Sequence, residues 1–230
     1  GVRLLMRLLH SYIPLFKGDF FIFGCILCCI FSKTLFVLSR GNTPKVRGIL
    51  MKHAGTWEQS LPTRVQEGAV QFKEPDINKF AIIANGIACG IFIVGLIFIF
   101  LSGAEYNFWG IIASLLVLVP HEFLHAIWMK GDVLMYTNIK RGILFVISTE
   151  DCTKGQFIWM SLFPTLIFGF LPLLIFIINP EMSFFSWLGV LSISMGAGDF
   201  CNIYFAITQI PKNALTFLSG FHSYWYIPEE

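Results

Sequence analysis

The chain has 230 residues, of which 56% are hydrophobic and 13% charged, with a mean hydropathy of +0.72 and a formal net charge of +2. A soluble domain carries about 25% charged residues, so the composition excludes an ordinary water-soluble domain and reads as a polytopic membrane protein. The charge balance gives no reason to expect a nucleic-acid partner; the partner it implies is the lipid bilayer, and the basic residues matter for orientation.

The first fifty residues are ambiguous. The stretch 20–38 is apolar apart from Lys33 and is predicted as a helix. Arg3, Arg7 and Lys17 precede it and Arg40, Lys45 and Arg47 follow, so its flanks give no orientation. Arg47-Gly48-Ile49-Leu50 ahead of Met51-Lys52 can be encoded with a purine-rich AGG-GG run just upstream of a start codon. Residues 1–50 are therefore expected to be either a read-through extension ahead of a natural start at Met51 or a genuine leader. Residues 51–80 read as a cytoplasmic or interfacial lead-in. Within it Trp57, Leu61-Pro62 and Phe72 predict an extended segment packed at the membrane surface.

Four apolar stretches follow, at 81–101, 108–129, 157–178 and 184–210. Each is close to or above the ~20 residues that cross the hydrocarbon core. The expected fold is an all-α membrane protein with a four-helix transmembrane core over 81–210. Trp109, Trp159, Trp187 and Tyr106 lie near segment ends, as interfacial aromatics do. Lys73 and Lys79 flank the first helix, Lys130, Lys140, Arg141 and Lys154 the middle loop, and Lys212 the end of the last helix. The turns 102–107 and 179–183 hold neither Lys nor Arg. This alternation places the N-terminal flank, middle loop and C-terminus in the cytoplasm.

The middle loop is unusually apolar. Residues 133–138 and 142–148 are strand-like, with Lys140-Arg141-Gly142 between them, and predict a β-hairpin between helices 2 and 3. It either inserts beside the site, where buried non-helical backbone is tolerated, or lies in the cytoplasm. Residues 211–230 are expected as a cytoplasmic or interfacial tail. Its Gly220-Phe221-His222-Ser223-Tyr224-Trp225 run reads as an interfacial anchor, with a lid that adds a ligand as the alternative. Cys25, Cys28, Cys29, Cys89 and Cys201 fall in apolar stretches, where cysteine behaves as a small hydrophobe.

Ionisable groups are costly in lipid and mark function by default. The second helix carries His121-Glu122-Phe123-Leu124-His125, an H-E-x-x-H, and the last carries Asp199. His121 and His125, at i and i+4, share a helix face and can bind one zinc ion. Glu122 projects beside the ion, where a carboxylate can accept a proton from an activated water and pass it to a leaving amine. No Lys or Arg lies in the four spans to pair with Glu122. A zinc site of this kind needs a third protein ligand. His10, His53 and His222 lie outside the spans, which leaves Asp199. At ~1.5 Å rise per residue the histidines lie about 6–12 Å, and Asp199 roughly 15 Å, from the cytoplasmic ends of their helices. A contact from Asp199 to Asn202 or to the backbone is the alternative. Asn85 and Asn202 read as interhelical hydrogen-bonding groups. Pro164 and Pro172 are candidate bends of the third helix.

His-Glu-Phe-Leu-His-Ala near the end of a membrane helix, a short basic loop, and Gly196-Ala197-Gly198-Asp199 in a later helix resemble a bacterial membrane family of zincin peptidases. The likeness covers roughly residues 56–228, including Trp57, Leu61-Pro62 and Ser223-Tyr224-Trp225. More distantly the pattern is similar to the site-2 intramembrane zinc proteases. That resemblance implies His121, His125 and Asp199 as metal ligands and Glu122 as the base. The chain departs from the site-2 pattern around the aspartate: Ser194 and Met195 stand where an Asn and a Pro are usual, and Phe200 follows Asp199. Substrate-positioning roles therefore do not carry over. The expected activity is zinc metalloendopeptidase action on membrane proteins or peptides, with the oligomeric state open. The competing expectation is a metal transporter or sensor without hydrolysis, and a third is a structural metal protein.

Overall fold

The structure is a computed structural model that describes residues 45–46, 49–55, 61–138 and 143–229. The helix expected over 20–38 with its three cysteines, most of the extension upstream of Met51, Trp57 and the Lys140-Arg141-Gly142 turn lie outside the described residues.

Helix α1 spans Ile77–Leu101 and starts at Asp76, whose side chain accepts the Lys79 N–H at 3.0 Å. Asn107 caps α2, Phe108–Leu116, in the same way through Gly110. Val117 joins α2 to α3, Leu118–Trp128. The His121 N–H still reaches the Val117 carbonyl at 2.8 Å, so α2 and α3 run on as one span. A Thr153/Gln156 capping box opens α4, Lys154–Thr165. Pro164 has no N–H to offer, and the chain widens into a π-helical turn at Leu166–Phe170 before α5 resumes over Leu171–Ile178. The last apolar stretch is α6, Ser183–Met195, and α7, Ala197–Gln209, meeting at a 49° bend.

Three helical units, Ile77–Leu101, Phe108–Trp128 and Lys154–Ile178, are long and apolar enough to cross a membrane, and the bent α6–α7 pair makes a fourth if it counts as one span. The apolar stretches of the sequence thus return as helices. The π turn and the bend are additions.

The all-α reading needs correction. Among the described residues, eight strands form two four-stranded sheets. The first has the order β1 (Lys45–Val46), β2 (Ile49–Gly55), β4 (Val133–Asn138), β5 (Ile143–Ile147). In it β4 and β5 make the expected antiparallel hairpin, while β2 pairs with β4 in parallel. The second sheet has the order β3 (Val70–Gln71), β8 (His222–Tyr226), β7 (Leu215–Ser219), β6 (Cys152–Thr153), antiparallel throughout. Three of the strands, β1, β3 and β6, have two residues each, and the pairings β2–β4, β3–β8 and β6–β7 join segments far apart in the chain, so local alternation was too weak to announce the sheets.

Each sheet packs on the helices that carry the candidate site. Val133, Met135 and Val146 bury against Ala126 of α3, with Phe123 alongside. Phe72, beside β3, packs with Phe157 of α4, Ala206 of α7 and Ile210. Arg64 ties the lead-in to this assembly. Its guanidinium bridges both Asp151 oxygens at 2.9 and 3.2 Å and stacks 4.5 Å over the Phe217 ring.

Candidate metal centre

α3 presents His121, Glu122 and His125 on its last turns, and α7 presents Asp199 in its first. The i, i+4 spacing puts the two imidazoles 4.9 Å apart between ring centroids. Asp199 reaches both: His121 Nε2 lies 3.0 Å from Oδ2, and His125 Nε2 lies 3.3 Å from Oδ1. All three side chains are largely shielded, with exposures of 10–13%.

The bend between α6 and α7 makes this meeting possible. Gly196 lies at the bend, where a Cβ would stand 2.4 Å from the Thr165 Oγ1 of α4. Any larger residue there would have to displace the Thr165 side chain. The first turn of a helix also favours a carboxylate, because unpaired N–H groups and the helix dipole lie there, and Asp199 occupies that turn.

His125 is oriented from behind. Its Nδ1–H donates to the Met160 carbonyl of α4 at 2.9 Å. A carbonyl can only accept, so the proton resides on Nδ1 and Nε2 is left with its lone pair toward Asp199. Histidine ligands are commonly fixed by such a bond. The donor set is two imidazole nitrogens and a carboxylate, a combination suited to zinc.

Glu122 also points into the group. Ligand atoms of His121, Glu122 and His125 lie within 4.8 Å of one another, so geometry alone admits Glu122 as a ligand in place of Asp199. The two Asp199 oxygens face both Nε2 atoms, whereas Glu122 has the Val146 backbone N–H of β5 as a hydrogen-bond partner. The hairpin thus borders the site.

The group opens into a cavity of about 470 Å³. Asn202 and Ser161 line it, as do residues 145–147 of β5. Asn202, read from the sequence as a helix-contact group, therefore shares the cavity with the metal group. Asn85 does not: its side chain bonds back to the Ala81 carbonyl of its own helix at 2.8 Å. Residues 220–223 also line the cavity, and so does Glu74, a residue that sequence pattern does not single out. An acidic residue outside the apolar spans carries no signal of rarity; only the pairing of β3 with β8 brings it to the site.

Residues 114–215 match a family model described as "Putative zincin peptidase". The matched stretch contains His121, Glu122, His125 and Asp199. No curated protein and no solved structure matches the chain.

Proposed function

We propose that the chain is a membrane-embedded zinc metalloendopeptidase with His121, His125 and Asp199 as metal ligands and Glu122 as the general base. The observation that carries this reading is the convergence of the Asp199 carboxylate on both histidine Nε2 atoms, 3.0 and 3.3 Å away, from a separate helix. Zinc, when bound, polarises a carbonyl and lowers the pKa of water toward neutrality. The chain's own residues do the rest. His125 is held in the ligating tautomer by Met160. Glu122 takes a proton at its carboxylate and returns it to the leaving amine. The surrounding helices limit access to water.

The substrate class is a peptide segment of a membrane-associated protein. β5 is the outer strand of its sheet, and its residues 145–147 line the cavity. An extended peptide laid there would find main-chain partners. The enzyme is placed in a bacterial cytoplasmic membrane with four crossings, and with the middle loop and both flanks of the core in the cytoplasm. The alternation of Lys and Arg between loops supports this orientation.

Transport of metal without hydrolysis fits less well. A transport path needs ligand sets at successive depths, and among the described residues His121, Glu122 and His125 form the one group able to hold an ion.

The test uses purified, detergent-solubilised wild type and Glu122→Gln. Both should hold zinc, while cleavage of a membrane-peptide library falls by at least about 10²-fold in the variant, the scale of a lost general base. Equal turnover would remove Glu122 from the reaction.

A further inference from the structure

The cavity that contains the metal group has a second polar cluster in its wall, formed by Glu74 at the end of the lead-in and by His222 and Ser223 of β8. Glu74 is well covered, with 13% of its side chain exposed. Its Oε2 lies 3.5 Å from His222 Nδ1, and its Oε1 accepts the Ser223 N–H at 3.2 Å. The Phe72 N–H in turn donates to the Ser223 carbonyl at 2.9 Å. The acid is therefore held on two sides by the tail hairpin, and the imidazole is held by the acid.

Strand stability does not account for this pair. Main-chain pairing of Val70 with Trp225 and Gln71 with Tyr224 already joins the segments. The His222 side chain is 47% exposed, and a pair exposed to that degree contributes little to stability. What the pair does achieve is to fix one ring in the wall of the metal-group cavity. Nδ1 is the ring nitrogen that faces the Glu74 carboxylate, so Nε2 is the one left for a ligand, and in the neutral ring with its proton on Nδ1 it is an acceptor. The complementary group is an N–H, which an extended peptide offers along its main chain. The same cavity has Phe80, Phe145 and Met195 in its wall for apolar side chains.

We propose that His222, oriented by Glu74, is a substrate-binding residue whose Nε2 accepts a main-chain N–H of the peptide in the cavity. The proposal rests on the peptidase reading and adds a specificity element at a distance in sequence from the metal motif.

The test measures binding of two probes to the full-length, zinc-loaded chain in detergent. Acetohydroxamate reaches only the metal; a leucyl-leucyl hydroxamate also occupies the peptide cavity. His222→Ala should weaken the dipeptidyl probe about tenfold, as expected for one lost hydrogen bond, and leave acetohydroxamate within about twofold. His222→Gln, which returns an acceptor near the Nε2 position, should recover most of that loss. Glu74→Gln should weaken the dipeptidyl probe in the same direction but less. Thermal melting and zinc content identify variants that fail to fold, and His222→Gln then carries the comparison. Unchanged dipeptidyl binding in the alanine variant, equal loss of both probes with zinc retained, or no recovery in His222→Gln would overturn the proposal. A wild-type chain that takes up neither zinc nor acetohydroxamate would instead overturn the peptidase reading on which it rests.

Discussion

At the scale of single residues, the metal group divides by how each member could be read. His121, Glu122 and His125 are local: the i, i+4 spacing alone puts the two histidines on one face of α3, and Glu122, next in sequence to His121, projects beside them. Asp199 was legible for another reason, the rarity of a carboxylate in an apolar helix. Glu74 was out of reach because a charge outside lipid costs little, and His222 was legible only as part of an interfacial anchor or of a lid adding a ligand. If Asp199 is the third ligand, Asp199→Ala should weaken zinc binding by at least about tenfold, since a tetrahedral site loses one of its three protein donors. Competition with a fluorescent chelator measures this, and undiminished affinity would move the third ligand elsewhere. Cys152 gives a residue-scale test of the fold at the base of α4. Burial pushes its thiol from the ordinary 9.0 up to about 12. The folded chain therefore keeps the proton where an unfolded chain releases it. The stability this contributes is complete below pH 9 and is lost as pH rises toward 12. Mass-spectrometric mapping after iodoacetamide at pH 8 should find the Cys152 peptide unmodified in the native protein and modified after denaturation. Equal modification in both would contradict the buried thiol.

At the scale of elements, the helices were legible and their interruptions only partly so. Continuous apolar runs announce spans because lipid demands them over a fixed length. Pro164 hinted at a disturbance, and it became the π turn at Leu166–Phe170. The 49° bend at Gly196 had no comparable signal, since glycine is frequent in membrane helices. The strands were least legible. β3 and β6 have two residues each, and the parallel pairing of β2 with β4 joins segments on either side of three helices. The bend yields the element-scale prediction. In Gly196→Ala the new methyl would stand 2.4 Å from Thr165 Oγ1, which should cost about 1–3 kcal/mol by overpacking. It should also lower zinc affinity by displacing Asp199. Thr165 Oγ1 is buried and has no hydrogen-bond partner, so Thr165→Ala alone should be nearly neutral. Combined with Gly196→Ala, it should restore most of the lost melting temperature and zinc binding. Additive losses in the double variant would place the cost of Gly196→Ala somewhere other than this contact.

At the scale of the whole molecule, the surface of α1 indicates the solvent. Only 6% of its most apolar window is buried within the protein, and that window has a mean hydropathy of 2.6. A surface of this kind in water would be an aggregation site; against hydrocarbon it is in its own medium. The second sheet then bears on how many times the chain crosses. β3 immediately precedes α1, β6 immediately precedes α4, and β7 and β8 follow α7, yet all belong to one sheet. An extramembrane sheet lies on one side. The chain must therefore cross an even number of times between β3 and β6, and again between β6 and β7. The first interval holds α1 and the α2–α3 unit; the second holds α4–α5 and the bent α6–α7 pair. If the sheet does lie on one face, the bent pair is expected to cross as one span rather than return to the side it left. Under the proposed orientation, with basic residues in alternate loops, Lys212 is expected in the cytoplasm and Glu105, in the turn after α1, outside. Membrane-impermeant maleimide applied to intact cells should label Glu105→Cys above the parental background at once, and Lys212→Cys only after permeabilisation. Labelling of both from outside would make the bent pair re-entrant, leave three crossings, and break the link between the shared sheet and a single membrane face. Labelling of Lys212→Cys alone would keep four crossings and turn the metal cavity toward the other side of the membrane.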